Sequence, residues 1–277
     1  MYAATLAVIA DWIHLLELPA VLIQPRGADA HEAALTVRMI RQSLRAKRII
    51  ATGIVEAYLP ALERALQGRV PINRLVTYLQ PPPEDPHIWL DVSYVRQSAA
   101  QILRWAEQDG LLTLTQRQAW QRFQLQLRQV QVRIREARRT LQGKTYFAIH
   151  DAYSPLTRQL GMRSLGSLDD SQGTRRFVHQ HEHEHGHGHP HEHGHAHDHG
   201  HSSTLLALRH LVEEARREGV SMVLTPAPNS VATTIARLLR VPLIVADTLE
   251  LPNPRHDYFA RLLGLVEALE RAAMLTR

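Results

Sequence analysis

Short apolar runs at 20–23, 48–52, 146–149, 222–225 and 242–246 alternate with longer stretches whose apolar residues recur every three or four positions, such as 33–44 and 204–218. Runs of four or five residues have the length of strands and the periodic stretches that of helices. The alternation therefore predicts parallel sheets with crossover helices. It occurs once before and once after a longer periodic segment, 115–141, in which Trp120, Phe123, Leu127, Val130, Ile134, Ala137 and Leu141 share one helical face. The expected fold is thus α/β, with two lobes of parallel sheets and crossover helices, residues 1–114 and 142–277. One long rigid helix over 115–141 joins them; at about 1.5 Å per residue it spans roughly 40 Å, a strut rather than a flexible linker.

Two segments break the pattern. Pro-rich 80–86 reads as a rigid loop leading into His87, and 166–203 has no apolar periodicity at all. The latter is expected to be a disordered insertion in the second lobe.

Composition narrows the function. At 277 residues and 44% hydrophobic content, two buried cores are affordable. The net charge of +5 raises nucleic acid as a partner, but the arginines are scattered. Their densest run, 117–139, lies on the strut and reads as a solvated basic face, so no nucleic-acid partner is expected. Cysteine is absent, which excludes disulfides and thiolate metal sites; any metal must be held by His, Asp or Glu. No apolar run approaches the roughly 20 residues that span a bilayer. The opening MYAATLAVIADW shows no basic leader, long apolar core or cleavage site, so no export signal is readable.

The histidines change the picture most. Every odd position from 179 to 201 is His: His179, His181, His183, His185, His187, His189, His191, His193, His195, His197, His199 and His201. Neutral imidazole is a good ligand for zinc, copper or nickel, and a Gly-spaced chain can wrap several rings around one ion. The tract is expected to bind several ions, each modestly, because ordering the chain opposes each binding event. Protons compete for the same nitrogens near pH 6, so uptake should weaken as pH falls. The pattern His-Glu-x-x-His also occurs here, at His181, His183 and His191, as a by-product of the repeat; without a helix bearing an apolar face it does not make a metalloprotease.

Six histidines lie elsewhere: His14, His31, His87, His150, His210 and His256. His31, in GADAH, follows a strand run; His87 follows the Pro-rich loop in DPHIWLD; His150 ends TYFAIH. Ligands in open α/β sheets gather at the carboxyl ends of strands, so these three are candidates. His14 and His210 fall within helical patterns and His256 near the start of the last one, where packing or surface roles are expected.

Together GADAHEAALTVRMIRQSLRAKRIIATG, DPHIWLD, GKTYFAIHDAYSPLTRQLGM and RVPLIVADTLELP resemble successive blocks of the zinc-specific solute-binding proteins of bacterial metal ABC transporters, the ZnuA-like group. The resemblance runs from about residue 10 to the end. It implies a metal in the cleft between the lobes, held by His31, His87, His150 and Asp247. Manganese-type relatives usually carry Glu at the third position, so His150 favours Zn2+. Three imidazoles and one carboxylate suit a tetrahedral zinc shell, and a filled shell leaves no place for a reactive water. Capture and transport are expected rather than an enzyme. The resemblance further implies a periplasmic monomer that delivers zinc to an ABC transporter membrane permease and meets the membrane only through that protein. The His-rich loop would be an auxiliary collector.

The chain departs from the family pattern in several places. The family's opening strand and signal peptide are not found, which implies a first lobe short of a strand or a start further upstream. Ala30 stands where Pro is usual, a usual Glu-Pro appears as Thr225 to Pro228, TPAP, and the His-rich insertion follows HDAY rather than preceding DPHIW. These departures keep open a metal buffer or chaperone with no transporter partner.

Overall fold

The computed structural model describes residues 1–25, 27, 30–150, 152–168 and 212–275. Two four-stranded parallel sheets form the two lobes. The first is built from β1 (Tyr2–Ala4), β2 (Ala20–Leu22), β3 (Arg48–Ala51) and β4 (Ile72–Arg74), in the order β2-β1-β3-β4. In the second, β5 (Thr145–Ala148), β6 (Arg163–Ser167), β7 (Met222–Thr225) and β8 (Leu243–Val245) repeat the same arrangement as β6-β5-β7-β8. Both lobes therefore present the carboxyl ends of β1/β3 and β5/β7 at the centre of a sheet, where crossovers diverge and ligands collect.

The opening strand that sequence reading found missing is present. Tyr2–Ala4 is β1, one of the two inner strands of its sheet, with every residue buried. Two alanines hide it, because they carry no β-branched signal and run directly into the apolar helix α1 (Ala7–Leu15).

Crossovers are capped where the sequence offers short polar side chains. Thr36 accepts from Met39 N at the start of α2 (Val37–Ser43), and α3 (Leu59–Leu66) follows β3. Asp91, the last residue of DPHIWLD, caps α4 (Val92–Gln108) by accepting from Ser93 N at 2.8 Å. The strut is α5 (Leu114–Leu141), opened by a Thr113/Gln116 capping box. Its buried face is Ala119, Phe123, Leu127, Val130, Ile134, Ala137 and Leu141, with Trp120 partly buried beside it. The second lobe adds α6 (Ser154–Gln159), a helical stretch at 212–217, α7 (Ser230–Leu239) and α8 (Tyr258–Leu275).

The expected insertion at 166–203 is described only to residue 168, and β6 runs into its start as an edge strand beside β5. The tract from 179 to 201, its His-Glu-x-x-His matches and His210 lie outside the described residues.

One apolar core runs through both lobes, from Trp12 and Trp89 on one side to Tyr153, Tyr258 and Leu262 on the other. Polar ties cross the same boundary: Trp89 Nε1 donates to Thr248 O and Tyr258 Oη to Trp89 O, each at 2.7 Å. Phe123 of the strut meets Phe259 of α8 edge-on at 4.9 Å. The cleft is thus bounded by packed, hydrogen-bonded walls. Among the described residues, no helix is long and apolar enough to cross a membrane.

Candidate metal centre

His31 lies in the loop after β2, and His87 immediately precedes the 3-10 turn Ile88–Leu90. His150 stands two residues beyond β5, one of the two inner strands of the second sheet. Their rings form a triangle with centroid separations of 5.5 Å (His31–His87), 5.8 Å (His31–His150) and 5.4 Å (His87–His150). The three histidines singled out from the motifs are therefore brought together, two from one lobe and one from the other.

The carboxylate that joins them is Glu250, not Asp247. Glu250 Oε1 lies 3.6 Å from His87 Nε2 and 3.7 Å from His150 Nε2. One ligand atom from each of His31, His87, His150 and Glu250 falls within 4.8 Å of all the others. A tetrahedral zinc with bonds of about 2.0–2.1 Å separates its ligand atoms by roughly 3.3 Å, close to the 3.6 and 3.7 Å at which Glu250 Oε1 stands from the two imidazole nitrogens. Asp247 is engaged elsewhere, with Arg261 Nε and Nη2 on its two oxygens at 2.8 and 2.9 Å. A guanidinium fork holds a carboxylate through both oxygens, which removes Asp247 from the set. Nothing in the local sequence distinguished the two acids. The signal that bears on the choice is a cationic residue, Arg261, one helical turn into α8, and its reach to Asp247 is visible only in three dimensions.

The protonation pattern of His87 follows from its neighbour. Its Nδ1 lies 2.9 Å from Asp85 Oδ1, and its backbone N donates to the same oxygen at 2.9 Å. An ionised carboxylate can only accept, so the imidazole proton sits on Nδ1 and the Nε2 lone pair faces the cluster. The Trp89 ring stands edge-on to His87 at 5.2 Å and fixes its plane. Sequence reading passed over Asp85, although its place two residues before His87 suits a side chain that turns back on the backbone.

The site is closed to solvent contact on its inner side. His87 is 3% and Glu250 8% exposed, and both His87 Nε2 and Glu250 Oε1 are buried without a hydrogen bond. Burying such atoms unpaired costs about 1–3 kcal/mol each, more for a charged group. A divalent cation satisfies both at once. The donor set, three borderline nitrogens and one hard oxygen, suits zinc and supplies less oxygen than manganese prefers.

The remaining described histidines stay apart from the centre. His14 is exposed on α1, with Nε2 3.4 Å from Ala20 O, and His256 is exposed just before α8.

Residues 4–176, more than half of the chain, match the family described as zinc-uptake complex component A, periplasmic. No curated protein sequence matches. Among solved structures, the periplasmic zinc-binding protein TroA from Treponema pallidum superposes with a TM-score of 0.75 at 13% identity, covering 98% of each chain. A crystal structure of ZnuA gives 0.74 at 14% identity, again over 98% of each. The solute-binding protein FpvC from Pseudomonas aeruginosa, in complex with Mn2+, gives 0.74 at 14% identity over 100% of this chain and 98% of that one. At such identities these three establish likeness of fold.

Proposed function

The chain belongs to the family of periplasmic zinc-uptake complex component A, metal-binding solute-binding proteins of ABC metal-import systems, and from that premise we propose that it captures Zn2+ in the inter-lobe cleft for delivery to a membrane permease. The ion is held by His31, His87, His150 and Glu250. The observation that carries this reading is the convergence of four ligand atoms from both lobes within 4.8 Å. The family is one of solute-binding transport proteins rather than enzymes, and a four-ligand shell leaves no coordination site for an attacking water. Placement outside the cytoplasm, facing the permease, belongs to the same proposal.

Zinc rather than manganese is supported by the donor set, with an imidazole at His150 where an oxygen donor would favour the harder ion. The tract from His179 to His201 is proposed as an auxiliary collector of several weak sites. Zinc stoichiometry and affinity, measured for the intact chain, for the chain lacking 179–201 and for His150→Ala, test the whole reading. One tight site should survive the deletion and disappear in His150→Ala. Equal loss from both changes would remove the separate cleft site. A tight site that takes manganese in preference to zinc would leave the cleft and reject the metal assignment.

A further inference from the structure

We infer that Arg261 is a positioning residue for the metal centre, acting through Asp247 to aim Glu250 into the cleft. This rests on the proposed reading of the four-ligand site. Arg261 belongs to the first turn of α8, and its side chain is only 3% exposed. An arginine is buried this deeply only when its charge is matched, and Asp247 matches it through two hydrogen bonds.

The same carboxylate shapes the turn that carries Glu250. Asp247 Oδ1 also accepts from Leu249 N at 2.8 Å, and Leu249 adopts a left-handed backbone with φ of 65°. A branched residue in that region costs on the order of 1 kcal/mol or more and persists only where its surroundings impose it. Here the Leu249 side chain is fully buried, and the aspartate cap holds its amide. Reversing the chain at Leu249 turns the next residue, Glu250, toward His87 and His150. Two further ties fix the turn, Tyr153 Oη donating to Ala246 O at 2.8 Å and Trp89 Nε1 to Thr248 O. Both ties hold main-chain carbonyls, whereas the Arg261–Asp247 pair acts through a polar side chain of the turn itself.

Arg261 also reaches the other lobe. Its Nη1 lies 3.7 Å from Asp11 Oδ2 on α1, with no hydrogen bond between them. The guanidinium therefore sits between α1 and the ligand-bearing turn, and ties the position of Glu250 to the packing of the lobe that supplies His31 and His87.

The test is a pair of double-mutant cycles on the full chain, with zinc affinity read by competition against a chelator and Co2+ absorption as the probe of ligand number. Glu250→Gln should weaken zinc binding roughly 10–100-fold, and Asp247→Ala and Arg261→Met about tenfold each. In the Glu250→Gln background neither second change should weaken binding more than about twofold, because both act through that carboxylate. The Co2+ spectra of Asp247→Ala and Arg261→Met should move toward that of Glu250→Gln. Additive losses, or wild-type affinity in Asp247→Ala, would overturn the positioning role. A larger loss in Asp247→Ala than in Glu250→Gln would overturn it as well, by making Asp247 the ligand. Should Asp247→Ala or Arg261→Met fail to fold, the combined Asp247→Ala/Arg261→Met change decides in its place, since it removes both members of the pair and leaves no buried guanidinium unmatched. His150→Ala separates the two levels: if it retains full affinity, the site itself falls, whereas its loss beside additive cycles rejects only the role of Arg261.

Discussion

Glu56 and Glu250 are both buried carboxylates, 4% and 8% exposed, one in each lobe: Glu56 lies beyond the carboxyl end of the inner strand β3 and Glu250 beyond that of the edge strand β8. They differ in what meets their oxygens. Glu56 accepts from Thr5 Oγ1 at 2.6 Å, Thr52 N and Thr52 Oγ1 at 2.7 Å, and Gly53 N at 3.0 Å. Its lone pairs are consumed by the lobe that surrounds it, and it ties β1 to the end of β3. Glu250 Oε1 faces imidazole nitrogens at 3.6 and 3.7 Å with no hydrogen bond. Burial alone therefore does not mark a ligand. A buried carboxylate whose acceptors are saturated is a structural clasp, and one left facing other electron-pair donors is built for a cation.

The sharpest way to break this contrast is to remove an imidazole. His87→Ala or His150→Ala should lower zinc affinity by more than about 100-fold while leaving the fold intact, as seen by titration calorimetry beside circular dichroism. Retained affinity would mean that the cluster is not the site. Next, the two glutamates should fail in opposite currencies. Glu56→Ala strands the Thr5, Thr52 and Gly53 donors and should lower unfolding free energy by roughly 2–4 kcal/mol in urea, with zinc stoichiometry unchanged. Glu250→Ala should leave apo-protein stability within about 1 kcal/mol and weaken zinc binding instead. A large stability loss in the second protein would erase the distinction.

A smaller effect is expected one bond behind the centre. Asp85→Asn keeps an oxygen for the His87 amide but can present its NH2 to Nδ1, which disfavours the tautomer with Nε2 exposed. Zinc affinity should drop about tenfold, and dissociation kinetics would measure it. The smallest expected effect concerns Asp11. Burial pushes its carboxyl up to about 6, with Arg261 only partly opposing the rise. The protonated form is thus favoured in the folded state, and stability is lost as pH climbs from about 4 through about 6. Asp11→Asn should raise the melting temperature by a few degrees at pH 7.5 and lose that advantage near pH 3.5. An advantage that persists unchanged in acid would reject the burial argument.

Much of the architecture was legible in the order of residues. The strut announced itself because seven apolar positions keep one helical face, and observed Leu114–Leu141 differs from expected 115–141 by a single residue. Inner strands such as β3, β5 and β7 were readable as apolar runs. β1, β4 and β6 were not: β1 is mostly alanine, β4 and β6 are edge strands of mixed polarity, and none carries a periodic signal.

The same division runs through the centre. His31, His87 and His150 could be nominated from sequence, because each sits in a short motif at a turn, a Pro-led loop or a strand end, and the structure brings their rings together. The carboxylate that faces them was not of that kind. Asp247 and Glu250 lie three positions apart in one turn, and periodicity treats them alike. Folding separated them by bringing Arg261 of α8 against one and leaving the other to face imidazoles supplied by both lobes. Local chemistry can nominate a donor, but which donor stays uncommitted depends on where distant charges come to rest, and only the tertiary structure decides that.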